Sequence, residues 1–175
     1  MLTSHLEKVR TRPQDVGPNV RANVEEGLRY TLEDAANAAQ AQTRMYRAWQ
    51  HFFDRHDILI TPAITISPRP WKELYPAEID GKPTRTYFHW LACAYYVTLC
   101  GHPAISLPMG VDKLGMPFGL QIVGPRGGDA LVLRVAAAIE EAFAHDAVMR
   151  RPVPDLAALR AAPAVTQMPG AMGWD

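Results

Sequence analysis

Gly101-His102-Pro103-Ala104-Ile105-Ser106-Leu107-Pro108-Met109-Gly110, followed by Gly115-Met116-Pro117-Phe118-Gly119-Leu120-Gln121-Ile122-Val123-Gly124-Pro125, is the stretch that decides the fold. Two short apolar segments, 103–108 and 118–123, sit between prolines and glycines, the punctuation of strands. Gly110 to Gly115 turns the chain between them. They therefore pair as a hairpin with a loop longer than two residues. Asp129 then caps a helix in which Leu131, Val135, Ala138, Ile139 and Ala142 recur at helical spacing. Strands followed by an amphipathic helix imply an α/β fold.

Working outward, Asp57-Ile58-Leu59-Ile60-Thr61-Pro62 reads as another short strand. Its apolar run does not alternate, so it reads as covered on both faces, as does 104–107. Between Pro62 and Pro83 the chain is proline-rich but carries Trp71, Leu74 and Tyr75, which predicts an ordered irregular segment. The spacing of Tyr87, Leu91, Ala94, Tyr95 and Thr98 predicts a helix from Arg85 to Cys100, capped by Gly101. Upstream, Thr31 reads as an N-cap with Asp34 as the acid of a capping box. It opens a helix over 32–55 with Ala35, Ala39, Gln42, Tyr46, Trp49 and Phe53 on one face. Residues 1–30 read as polar, with a short helix over 19–27 that stops at Gly27. Residues 1–160 form the domain, and 161–175, rich in Ala, Pro, Met and Gly, read as a loose tail.

Composition narrows the function. The 175 residues hold 18 Lys plus Arg against 18 Asp plus Glu, so no basic excess marks a nucleic-acid binder. No run approaches the roughly 18 apolar residues of a membrane span. The start of the chain lacks the apolar core of a secretory signal, and two cysteines make no disulfide framework. A cytoplasmic protein is expected.

Candidate chemistry is sparse. The histidines at 5, 51, 56, 89, 102 and 145 have no zinc spacing, and there is no Cys-x-x-Cys. Cys93 and Cys100, seven apart on one helix, are about 10.5 Å from each other, beyond disulfide reach. Gly124-Pro125-Arg126-Gly127-Gly128 leads from strand to helix but matches no phosphate-binding pattern, so it reads as a turn and cap. Ser106 lacks nucleophile-elbow glycines, and His102, four residues away on an extended strand, lies about 13 Å off. The residues alone describe an α/β piece without a self-contained active site.

The stretch quoted at the outset, with the helix from Asp129 to Phe143 and the strand ending in Thr61-Pro62, resembles the C-terminal region of the amidase signature family. The segment Pro83-Thr84-Arg85-Thr86-Tyr87-Phe88-His89-Trp90 and the helix after it resemble one bacterial branch. The resemblance covers residues 16–153. It implies the C-terminal portion of the amidase signature fold, a mixed twisted sheet flanked by helices. It also implies hydrolysis of a small-molecule amide through an acyl-serine, by a serine, a second serine in a cis peptide and a lysine, without a cofactor. Those residues belong to a Gly/Ser-rich signature and an upstream lysine. This sequence has no Ser-Ser, no Gly-Gly-Ser, and no lysine in that context.

No catalytic residue is therefore carried over. Substrate shaping is: the helix before the Gly-x-Pro-Ala strand lines the acyl side of the family's pocket, which here means Ala94, Tyr95 and Thr98. Many relatives have Phe-Thr at the places of Cys93-Ala94 and Asn at that of Thr98. Two readings follow. Either the chain is the scaffold and pocket portion of an amidase, inactive alone, or it is a non-catalytic subunit or binding module that docks with a separate catalytic chain. Neither involves nucleic acid or membrane, and open strand edges would favour a homo-oligomer or aggregate.

Overall fold

A computed structural model describes residues 2–70, 73, 75–84, 86 and 88–164. The chain divides into two units, 1–48 and 49–175.

The first unit is helical. Helices α1 (Leu2–Thr11) and α2 (Pro18–Gly27) flank a 3-10 turn at Pro13–Asp15. α1 departs from the expected irregular start; its half-buried Leu2, Leu6 and Val9 recur at helical spacing. Val16 and Val24 are buried, and the Arg21 guanidinium closes the turn by donating to the carbonyls of Pro13 (2.7 Å) and Val16 (2.9 Å). Gly27 is the last helical residue, and Leu28 holds the cap position in a right-handed conformation, so Gly27 does not act as the expected cap.

The capping box at Thr31 forms as expected. Its Oγ1 accepts from Asp34 N (3.1 Å), and the Asp34 carboxylate accepts from Thr31 N (2.8 Å) and Thr31 Oγ1 (2.8 Å). The helix it opens, α3, runs over Leu32–Phe53. Ala35, Ala39 and Gln42 are exposed, while Tyr46 and Phe53 are half-buried and Trp49 is buried. The first turns thus rest on alanine's helix propensity rather than on burial.

The second unit is built on an antiparallel sheet of β1 (Leu59–Pro62), β4 (Ala104–Val111) and β5 (Pro117–Val123), in the order β1-β5-β4. The hairpin pairs Ala104 with Val123 and Met109 with Phe118, and β1 sets Leu59 opposite Val123. Between β1 and β4 a small hairpin, β2 (Glu78–Ile79) with β3 (Lys82–Pro83), turns at Asp80 and Gly81. Both turn residues have positive φ, the signature of an Asp-Gly hairpin. Of the aromatic and aliphatic residues expected to order this region, Tyr75 is half-buried; Trp71 and Leu74 lie outside the described residues.

One face of the sheet carries Ile105, Leu107, Met109, Leu120 and Ile122, packed under α5 (Asp129–Phe143). The helix buries Val132 and Ala136 and half-buries Leu131, Val135, Ile139 and Phe143; Ala138 and Ala142 are exposed. The buried stripe is therefore rotated from the expected one, because the larger side chains set the phase. Asp129 is not the cap: Gly128 occupies that position, and Asp129 begins the helix where its charge meets the positive end of the dipole. Gly124 is required by contact, since a Cβ there would stand 2.5 Å from Val132 Cγ2.

The other face is partly covered, by the end of α3 and by α4 (Ala92–Leu99). α4 is shorter than predicted. A 3-10 turn at His89–Leu91 precedes it, and Arg85 and Tyr87 lie outside the described residues. Gly101, at φ 68°, closes it by donating to Thr98 O (3.2 Å), as expected. A further helix, α6 (Leu156–Ala161), is capped by Asp155, whose side chain accepts from Ala157 N and Ala158 N. Its end falls where the loose tail is expected to begin, and residues 165–175 lie outside the description. No helix among the described residues is long and apolar enough to cross a membrane.

β4 ends in a bulge at Gly110. Gly110 has φ 50°, donates to Arg150 O, and would place a Cβ 2.2 Å from Val148 O. Gly110→Ala combines left-handed strain with a backbone clash and is expected to cost about 3–4 kcal/mol, read from urea unfolding.

Among the described residues, three carboxylates lie below the usual carboxylate range. Asp34 is held there by the Thr31 N–H, Asp112 by the Met116 N–H, and Asp146 by the Met149 N–H. Lowered folded-state values mean that their contribution is complete above the unfolded carboxyl range, about pH 4, and is lost as pH falls through the folded values. The thermal midpoint should hold flat from neutral pH to about pH 5 and fall below about pH 4, with a shallower fall in Asp146→Asn.

Candidate functional site

The site grows from the way α4 lies on the sheet. Val97 and Cys100 are buried and Cys93 is half-buried, all on the sheet side. At a step of about 100° per residue, Ala94, Tyr95 and Thr98 share the opposite side. All three are exposed, Tyr95 at 39%. The structure therefore brings the three expected pocket-wall residues together on one outward face. The helix is apolar nearly all round, so its sequence does not say which side faces the sheet; the sheet decides.

Two sets of contacts hold α4. The first is polar. Gln121, buried in the middle of β5, donates from Nε2 to the carbonyl of Cys93 (3.0 Å) and to Thr61 Oγ1 (3.2 Å). One amide thus joins α4, β5 and β1. The second is aromatic. Trp49, at the buried end of α3, has its ring centroid 5.3 Å from that of Tyr96 on α4 and 5.0 Å from that of His102, on which it stacks. Phe53 meets the same imidazole at 5.1 Å. His102 is buried and committed: Nδ1 lies 2.9 Å from Gly124 O and so carries the donated hydrogen, while Nε2 faces the Gln50 amide at 3.4 Å. Burial pushes the Cys100 thiol above its ordinary value. Both cysteines are free.

Among the described residues, this arrangement offers an exposed helix face and sets no base beside Ser106. Ser106 is exposed on the side of β4 away from α5, its Oγ beside Gly119, while His102 serves as a packing and hydrogen-bonding residue between α3 and β5. Among the described residues, no group of three or more His, Cys, Asp or Glu is placed to hold a metal. Gln121 and Trp49 are the members that sequence reasoning misses as parts of the site. Trp49 is legible only as a member of an amphipathic face. Gln121 carries one signal, a polar residue at the centre of an apolar strand, which demands buried partners.

Comparison with known proteins gives this geometry a setting. A model of the amidase family matches residues 4–133. The chain is 36% identical over 126 residues to a fatty acid amide hydrolase of Medicago truncatula, a match covering 71% of this chain and 20% of that protein. It is 33% identical over 116 residues to an acylamidase of Rhodococcus erythropolis, covering 66% and 24%. Among solved structures, a bacterial aryl acylamidase of the amidase signature family superposes with a TM-score of 0.67 at 23% identity, over 77% of this chain and 28% of that one. The chain spans less than a third of the length of each of these relatives. With the family's model matched over residues 4–133, which take in the sheet and α4, the chain belongs to the amidase family.

Proposed function

We propose that this chain supplies the scaffold and one wall of the acyl pocket of an enzyme that hydrolyses a carboxamide C–N bond. In that reaction a serine attacks the carbonyl, the amine leaves with a proton, and water cleaves the acyl-serine. The serine, its relay serine and the lysine base belong to polypeptide outside residues 1–175, and the chain alone is inactive. The observation that carries this reading is α4: its buried side is fixed to the sheet, while Ala94, Tyr95 and Thr98 stand together and uncovered. Tyr95 offers a large face and a hydroxyl, Thr98 a second hydroxyl, and Ala94 leaves room between them. The substrate is a small-molecule amide, and the chemistry calls for no cofactor. The free thiols suit a reducing, cytoplasmic setting.

A second reading, a non-catalytic subunit docking with a separate catalytic chain, draws support from the uncovered apolar residues. The strands read as covered on both faces are each open in part: Ile60, which shares the face of Ile122, is 46% exposed, and Ala104 and Ser106 are exposed on the opposite face. Leu99 and Phe118 are uncovered as well. Both readings predict that the purified chain self-associates, because apolar surface and free strand edges seek partners. Size-exclusion chromatography should show oligomers; a freely soluble monomer that unfolds cooperatively would count against both.

Activity separates the possibilities. The purified chain should leave simple amides intact. Produced together with a polypeptide carrying the Gly/Ser-rich signature and its upstream lysine, it should restore hydrolysis. Tyr95→Ala should then shift the preference between short and long acyl groups by about tenfold in kcat/KM. Hydrolysis by the isolated chain, abolished by Ser106→Ala, would overturn the reading.

A further inference from the structure

We propose that Gln121 is the positioning residue of the pocket wall: its side-chain amide, bonded to the first turn of α4, sets where Ala94, Tyr95 and Thr98 point. This rests on the pocket-wall reading above.

The case begins with what apolar packing cannot do. Val97 and Cys100 attract α4 to the sheet, but such attraction is non-directional and does not fix how the helix slides or turns. Beside the start of α4 lies a largely apolar cavity of about 300 Å³, bounded in part by Trp49, Leu59, Cys93, Tyr96 and Gln121. Space there leaves the first turn free to settle inward. The Gln121 amide reaches α4 directionally from the sheet, donating to the Cys93 carbonyl at 3.0 Å.

Gln121 can act as a reference point because it does not move easily. It lies in β5, opposite Thr61 on one side and Ser106 on the other, so strand pairing fixes its backbone from both edges. Its amide is held in turn by Thr61 Oγ1 at 3.2 Å, which keeps Nε2 from swinging away from α4. Cys93 and Ala94 are consecutive, so the bond that fixes the carbonyl of one fixes the Cα of the next. A turn of α4 by one residue, about 100°, would carry Tyr95 off the exposed face. A buried amide in an apolar strand is costly unless both partners are kept. An aliphatic residue would hold the helix on the sheet but not in this phase.

The test labels the full chain with iodoacetamide and follows Cys93 and Cys100 separately by peptide mass spectrometry. Gln121→Met keeps the length and removes the donor. It should label about tenfold faster at Cys93 with Cys100 unchanged and cooperative unfolding retained, the mark of a local opening. Gln121→Glu, which sets a carboxylate against the Cys93 carbonyl, should go further. In the amide-cleaving assembly, Gln121→Met should raise KM for a long-acyl amide about tenfold while kcat changes less than about threefold. Wild-type labelling of Cys93 in both variants overturns the proposal. So does equal acceleration at Cys93 and Cys100, or loss of folding in both variants, since each makes Gln121 a matter of general stability. A kcat that falls as far as KM rises also overturns it. Selective labelling of Cys93 in an assembly without activity upholds the tie between Gln121 and α4 and refutes the pocket-wall reading instead.

Discussion

Strand β5 is bonded on both edges, and the three-stranded sheet is organised by that fact. β1 pairs along one side and β4 along the other, so its backbone is satisfied by strands from distant parts of the sequence. Its side chains then alternate with the pleat. Leu120 and Ile122 turn toward α5 and join the apolar core with Leu107 and Met109. Gln121 turns the other way and takes hold of α4. A slip of one residue would exchange the two faces, burying the amide in the core and presenting isoleucine to α4. Register in β5 is thus what divides scaffold from site.

The parts legible in the sequence are those whose chemistry is local. The brackets of proline and glycine around 103–108 and 118–123 mark both hairpin strands, although β4 runs on through Pro108 to Val111, and Thr31 with Asp34 marks the start of α3 to the residue. Where the outcome depends on ranking similar side chains, spacing alone misleads. Alanines at 138 and 142 fit the period of α5, yet the bulk of Val132, Ile139 and Phe143 chooses its phase. α4 reads as too long at its start because the helix period continues through Leu91, which belongs to the 3-10 turn at His89–Leu91. The small hairpin at Asp80-Gly81 escapes a reading by pattern although its turn dipeptide is specific, because strands of two residues leave no alternation to see.

The site divides in the same way. Ala94, Tyr95 and Thr98 fall on one face by spacing alone, and a family resemblance is needed to say what that face is for. The grip of Gln121 on the Cys93 carbonyl links positions 28 apart. No period, cap or motif reports it, because it exists only once α4 has been laid across the sheet. The commitment of His102 to Gly124 is similar. In the sequence it is a histidine near a serine; in the fold it is enclosed by Trp49 and Phe53 and bonded elsewhere.

The reciprocal bonds at Thr31 have a consequence for the order of events as the chain comes together. Four consecutive residues fix the start of α3, with no need for a distant segment to arrive. The sheet is the opposite case: β1 finds its partner in β5 only about sixty residues later, at the entropic expense of closing so long a loop. Local helix signals are therefore available from the outset, while the surface on which α4 rests needs strands from both ends of that loop.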